Sequence, residues 1–193
     1  MTTTTASSAN VARSTLPGYL AGKWIIDPIH SEVGFSARHM MVSKVRGKFT
    51  AFSGEIITGS EPSASSVIAT IQIVSIDTAN TDRDNHIRSA DFLDVATFPT
   101  MTYKSSSVRA DGNDFVVDGE LTLKGVTKPM QLSLELGGFG PDAFGGTRAG
   151  FSATGKLSRS EFGVNFNAVI EAGGVVVSDI INISMEIEAV LAT

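Results

Sequence analysis

Cysteine is absent from the 193 residues, which excludes thiol nucleophiles, thiolate metal sites, iron–sulfur clusters and disulfides. Charge is scarce as well: Asp, Glu, Lys and Arg make up 18% of the chain, below the roughly 25% of an average soluble domain. Positive charge falls short of negative, leaving a net charge of −5 and a pI near 5.1. That balance argues against nucleic acid, which selects a basic face. Aromatic residues with a polar handle are few, two Tyr and one Trp against eleven Phe. Phe brings bulk without a hydrogen-bonding group, which suits an apolar wall and a plain packed core equally. No apolar run approaches the ~20 residues of a membrane span. The opening segment has no apolar stretch of roughly 7–15 residues such as a secretory signal carries, so a cytoplasmic protein is expected.

What is present is a succession of strands. Residues 1–22 are mostly Thr, Ser and Ala, closing on Pro17-Gly18, and read as a flexible tail too polar to fold alone. From Lys23 onward apolar residues recur at period two, the mark of a half-buried strand. Val33, Phe35 and Ala37 alternate with Gly34, Ser36 and Arg38; Ala69, Ile71 and Ile73 share a face, as do Met101 and Tyr103. Val45, Gly47 and Phe49 hold one phase and Phe52, Gly54 and Ile56 the other, a one-residue slip of the kind a β-bulge produces. Phe115, Val117, Leu121 and Leu123 follow the turn Asp111-Gly112-Asn113. Met130, Leu132, Leu134 and Leu136 come next, then a Gly-rich turn over 137–146, then Phe151, Ala153 and Leu157. The last strand carries Ile181, Ile183, Met185, Ile187 and Ala189. About eight strands with one apolar face require a sandwich or a closed barrel, and periodicity leaves both open. Segments 82–95 and 161–178 break the rhythm. The first reads as one or two helical turns, and Phe162, Phe166 and Ile170 in the second fall at helical intervals. Both are long enough to lid a barrel end.

The densest chemistry lies in Ser75-Ile76-Asp77-Thr78 and Asp82-Arg83-Asp84-Asn85-His86. Arg83, Asp84 and His86 could form an acid–base set. The sequence favours a structural knot, with Arg83 bridging carboxylates while Ser and Thr tie down a loop, because no catalytic frame accompanies them. His30, His39 and His86 match no compact metal-ligand spacing, so no metal is expected. Residues 119–128 lack the order of a phosphate-binding loop and read as strand, turn at Gly125, strand. Arg159 is expected to pair with Asp77, Asp84 or Asp91; the alternative is that it and Arg38 meet a polar ligand head.

Several of these blocks, in order, resemble the YceI-like family. Trp24-Ile25-Ile26-Asp27-Pro28-Ile29-His30-Ser31, Val33-Gly34-Phe35 and Arg38-His39 look like its opening, continued by Val45-Arg46-Gly47-Lys48-Phe49 and Phe52-Ser53-Gly54. Ser75-Ile76-Asp77-Thr78, the block from Arg83 to Phe92, and Phe98-Pro99 look like its most recognisable stretch. Leu121-Thr122-Leu123-Lys124-Gly125-Val126-Thr127-Lys128 and Arg159-Ser160-Glu161-Phe162-Gly163 complete the likeness, which covers 23–193. The resemblance implies an all-β, lipocalin-like antiparallel barrel of about eight strands with short helical insertions, large enough inside for one small ligand. It further implies a non-enzymatic protein that sequesters or transports a polyprenyl chain, an isoprenoid quinone or a related amphiphile, with no other cofactor. On that reading the wall comprises Phe35, Phe49, Ile56, Ile71, Ile73, Phe92, Met101, Tyr103, Phe115, Leu121, Leu123, Leu132, Leu134, Phe151, Phe162, Ile170, Ile183, Met185 and Ile187. An enzyme working through Arg83, Asp84 and His86, and a stress-protective barrel without ligand, are the alternatives; a homodimer is left open.

Overall fold

The computed structural model describes residues 16–168 and 176–193. Its strands are β1 (Gly22–Ile26), β2 (Glu32–His39), β3 (Ser43–Phe49), β4 (Phe52–Thr58), β5 (Ser66–Gln72), β6 (Ile76–Asp77), β7 (Thr100–Asp111), β8 (Asp114–Leu123), β9 (Val126–Pro141), β10 (Thr147–Ser158) and β11 (Val177–Leu191). One helix, α1 (Thr81–Arg88), lies between β6 and β7. Pairing runs β1–β4–β5–β7–β8–β9–β10–β11, and β11 returns to β1 through Trp24↔Leu191, Ile25↔Val190 and Ile26↔Ala189. The sheet is therefore a closed antiparallel barrel of eight strand positions.

Several positions hold two short segments each. β1 and β2 occupy successive lengths of β11, β3 and β4 follow one another beside them, and β6 continues β5 along β3. The phase change between Phe49 and Phe52 is thus an interruption rather than a bulge within one ladder. Thr50 and Ala51 leave the strand, Thr50 N–H donating to Ser75 O at 3.2 Å while Gln72 N–H donates to Ala51 O at 2.9 Å. Phe49 and Phe52 can then both face the lumen, which a continuous strand of period two forbids. Irregular register appears elsewhere, between Ser105 and Ser107, Gly150 and Phe151, and Val177 and Ile181. The Gly-rich stretch is also less of a turn than its composition suggests: β9 runs on to Pro141, leaving 142–146 to reverse the chain.

The barrel's two ends are closed differently. At one end Asn80 caps α1, accepting from Arg83 N–H at 2.9 Å, with Asp82 and Asp84 in the first turn and His86 and Arg88 in the last, as the helix dipole prefers. Ile87, Leu93 and Val95 pack against the buried core, of which Ile73, Ile76, Leu123 and Phe162 are members. At the other end residues 16–21 of the expected tail lie on the barrel. Leu16 packs against the core, and the Tyr19 ring meets Phe139 edge-on at 5.4 Å.

Candidate ligand cavity

The inner faces enclose a cavity of about 190 Å³. Val33 and Phe35 from β2, Phe49 from β3, Phe52 and Ile56 from β4, and Ile71 from β5 form one wall. Met101, Tyr103, Phe115, Val117, Leu121, Leu132 and Leu134 form the next, and Phe151, Leu157, Ile183, Met185 and Ile187 close the ring. Leu16, Tyr19 and Phe139 roof it at the tail end. Glycine shapes the lining at two points. A Cβ on Gly47 would lie 2.4 Å from the Phe35 ring, and one on Gly119 would lie 2.6 Å from the Tyr103 hydroxyl; the missing side chains let both rings lie across the neighbouring strand.

The buried polar side chains of the lining are engaged within the protein. The Tyr103 hydroxyl donates towards Val117 O at 3.2 Å and Met130 O at 3.3 Å, and burial, with the nearby Asp118 charge, pushes its pKa up to about 12. Thr58 Oγ1 accepts from Trp24 Nε1 at 2.8 Å and from Gly22 N–H at 2.9 Å, and donates to Leu20 O at 2.7 Å. The Tyr19 hydroxyl donates to Gly59 O at 3.1 Å. Among the described residues no buried side-chain polar atom lacks a partner. The lining therefore offers hydrocarbon contact and no waiting hydrogen bond, so an apolar chain is the guest it accommodates at least cost.

Of the residues expected in the wall, Phe35, Phe49, Ile56, Ile71, Met101, Tyr103, Phe115, Leu121, Leu132, Leu134, Phe151, Ile183, Met185 and Ile187 border the cavity. Ile73, Leu123 and Phe162 do not: all three are buried in the main core cluster away from the open space. Phe92 stands outside, edge-on to His86 at 5.0 Å and tilted against Phe166 at 5.0 Å. Ile170 lies outside the described residues. Sequence reasoning passed over Val33, Phe52, Val117 and Leu157, although each shares a strand phase with a named neighbour. Leu16, Tyr19 and Phe139 gave no such signal, lying in the expected tail and turn.

A profile of the YceI-like domain matches residues 24–189. The chain belongs to the YceI-like family. Protein YceI of Escherichia coli O6:H1 is 43% identical over 136 residues, 70% of this chain and 71% of that protein. The Campylobacter jejuni YceI crystal structure has a TM-score of 0.69 at 32% identity, covering 81% of this chain and 90% of the other. Two more distant structures share the fold. Burkholderia cenocepacia BcnA has a TM-score of 0.74 at 24% identity, with 87% and 99% covered. A polyisoprenoid binding domain from Saccharophagus degradans has a TM-score of 0.61 at 16% identity, with 90% and 100% covered.

In this YceI-like barrel the polar block is built around Thr78. Asp84, buried, accepts from both the backbone N–H (3.0 Å) and the hydroxyl of Thr78. Arg83 donates to Thr78 Oγ1 at 2.8 Å and Thr78 O at 2.7 Å, so it ties the loop directly rather than bridging two carboxylates. His86 turns to Asp91 on the surface, at 3.2 Å. None of the three borders the cavity. Arg159 likewise corrects its expected ion pair. It is buried among main-chain carbonyls, donating to Val164 O at 2.7 Å, Phe166 O at 2.8 Å, Ser178 O at 3.1 Å and Val177 O at 3.3 Å. Burial pulls its pKa below the ordinary arginine value.

A second polar cluster was not anticipated. Outside the lumen, Arg148 donates to Asp27 at 2.8 Å, to Asp142 at 3.3 Å and to Glu188. His30 Nδ1 lies 2.8 Å from Asp27. Asp27, His30 and Glu188 place ligand-type atoms within 4.8 Å of one another, but the Arg148 guanidinium already supplies positive charge there. The His30 and Arg148 hydrogen bonds hold the Asp27 carboxyl far below the usual carboxylate range.

Proposed function

We propose that this protein binds an isoprenoid-type amphiphile, sequestering or carrying it with its hydrocarbon chain in the lumen and its head group outside. The observation that carries this reading is a cavity of about 190 Å³ lined mainly by apolar side chains, whose buried polar side-chain atoms all have hydrogen-bond partners. A dry apolar cavity of about 150 Å³ takes a benzene-sized guest. By that measure the space holds roughly one to two five-carbon prenyl units, and a longer chain extends by displacing an end. Burying hydrocarbon yields about 0.8 kcal/mol per CH₂, enough for useful affinity from a few units. The fold shared with a polyisoprenoid binding domain supports the same class of guest. A carrier rather than an enzyme is favoured because Arg83 and Asp84 are committed to Thr78 and stand off the cavity wall.

Native mass spectrometry of freshly purified protein, followed by solvent extraction, tests the reading. A co-purified long-chain species, or thermal stabilisation by an added prenyl alcohol, is expected. An empty barrel that no prenyl compound stabilises would refute it.

A further inference from the structure

We propose that the tip of the β2–β3 hairpin docks on an anionic lipid bilayer. The turn is closed by Val42 N–H donating to His39 O at 3.0 Å, with Met40 and Met41 both left-handed at φ 50° and 58°. Turns of this hand favour Asn-Gly, because a side chain crowds the backbone in that conformation. The β8–β9 hairpin follows the rule in part, with Lys124-Gly125 in the same conformation. Two methionines work against the turn, and both stand exposed at the tip. Met40 is 44%, Met41 57% and Val42 84% exposed.

The outward face leading to this tip is basic. Arg38 lies opposite Lys44, Ser36 opposite Arg46 and Gly34 opposite Lys48, so the four cations share one face of the ladder. Like charges set directly across a ladder repel. Among the described residues only Lys48 of the four lies within 4 Å of a carboxylate, Glu32 at 3.7 Å, and Asp77 stands opposite it on β6. This stripe stands on a chain whose net charge is −5.

Both features oppose the isolated fold and both suit one occupant. In a phospholipid surface the three apolar side chains enter the acyl boundary, while Arg38, Lys44 and Arg46, the cations nearer the tip, reach the phosphates on extended stems. An acidic protein would match the cations but leave the apolar tip unexplained. The proposal does not depend on what fills the lumen, because vesicle binding is read on the protein itself.

The test is co-sedimentation of the whole chain with vesicles of mixed phosphatidylglycerol and phosphatidylcholine, against phosphatidylcholine alone. Binding to the mixed vesicles only, weakening as salt is raised, is expected. Met40→Asn with Met41→Gly relieves the turn, so the thermal midpoint holds or rises. Vesicle partition should nevertheless fall about tenfold or more, as loss of one large buried apolar side chain implies. Lys44→Ala with Arg46→Ala should lower it about fivefold per charge. Absence of vesicle binding, or variants that bind like the parent, overturns the proposal. So does concentration-dependent self-association lost in the methionine variant without vesicle binding, which assigns the tip to a second copy.

Discussion

Leu123 and Met185 both continue an apolar strand phase, and period two gives them the same standing. The structure separates them: Met185 borders the cavity, whereas Leu123 is buried in the core cluster away from it. Enlargement therefore has opposite consequences. Leu123→Phe overpacks a filled region and should cost about 1–3 kcal/mol, read as a lower midpoint in denaturant. Met185→Phe fills open space and should leave that midpoint close to the parent while reducing extractable lipid. Equal destabilisation of both variants would mean that the lumen is as full as the core cluster. The inward phase was legible because alternation is local. Which inward residues meet empty space was not, because Ile73, Leu93 and Phe162 arrive from distant segments. The partners of Arg83 and Arg159 escaped notice for a related reason: composition suggests carboxylates for a cation, while loop carbonyls leave no mark in a sequence.

At the scale of elements, the strands from β7 to β11 follow the apolar alternation over much of their length, interrupted at the register shifts in β7, β10 and β11, since each is long and extensively paired. The first third of the barrel is harder to read because its positions are assembled from pairs of short strands, and Thr50–Ala51 erases the phase between them. The choice of barrel over sandwich came from the family resemblance, as alternation is the same in either. Residues 16–21 show a further limit of composition: Leu16 and Tyr19 follow fifteen residues that are mostly Thr, Ser and Ala, yet they roof the cavity. Tyr19→Ala removes the ring against Phe139 and the hydroxyl bond to Gly59 O. It should speed the uptake of an environment-sensitive apolar dye, followed by stopped-flow fluorescence. An unchanged uptake rate would place the route to the lumen elsewhere.

For the molecule as a whole, the cluster around Arg148 links the end of β1 to β10 and β11 where the barrel closes. Because the Asp27 carboxyl titrates lower in the folded state than in the unfolded chain, its contribution is fully present above the unfolded value, near pH 4. It is lost as pH falls through the depressed folded value. Asp27→Asn should consequently be less stable than the parent near neutrality, and the gap should narrow below about pH 4 and vanish in strong acid. Thermal melts of the two proteins across that range check the sign. A gap that is constant with pH would show that the carboxylate charge is not what holds the seam.

That seam also governs how the chain finds its fold. Trp24 must meet Leu191, so the pairing that completes the ring joins residues from nearly opposite ends of the described chain. The β7–β8 and β8–β9 hairpins close over short loops and can form early. Loop-closure entropy delays the β1–β11 contact until the intervening strands have shortened the path. The order of assembly is then from the middle of the sequence outward, with β1 docking last. Only a short ladder holds that final joint, so its amides are the ones expected to exchange with solvent before the hairpins that preceded them.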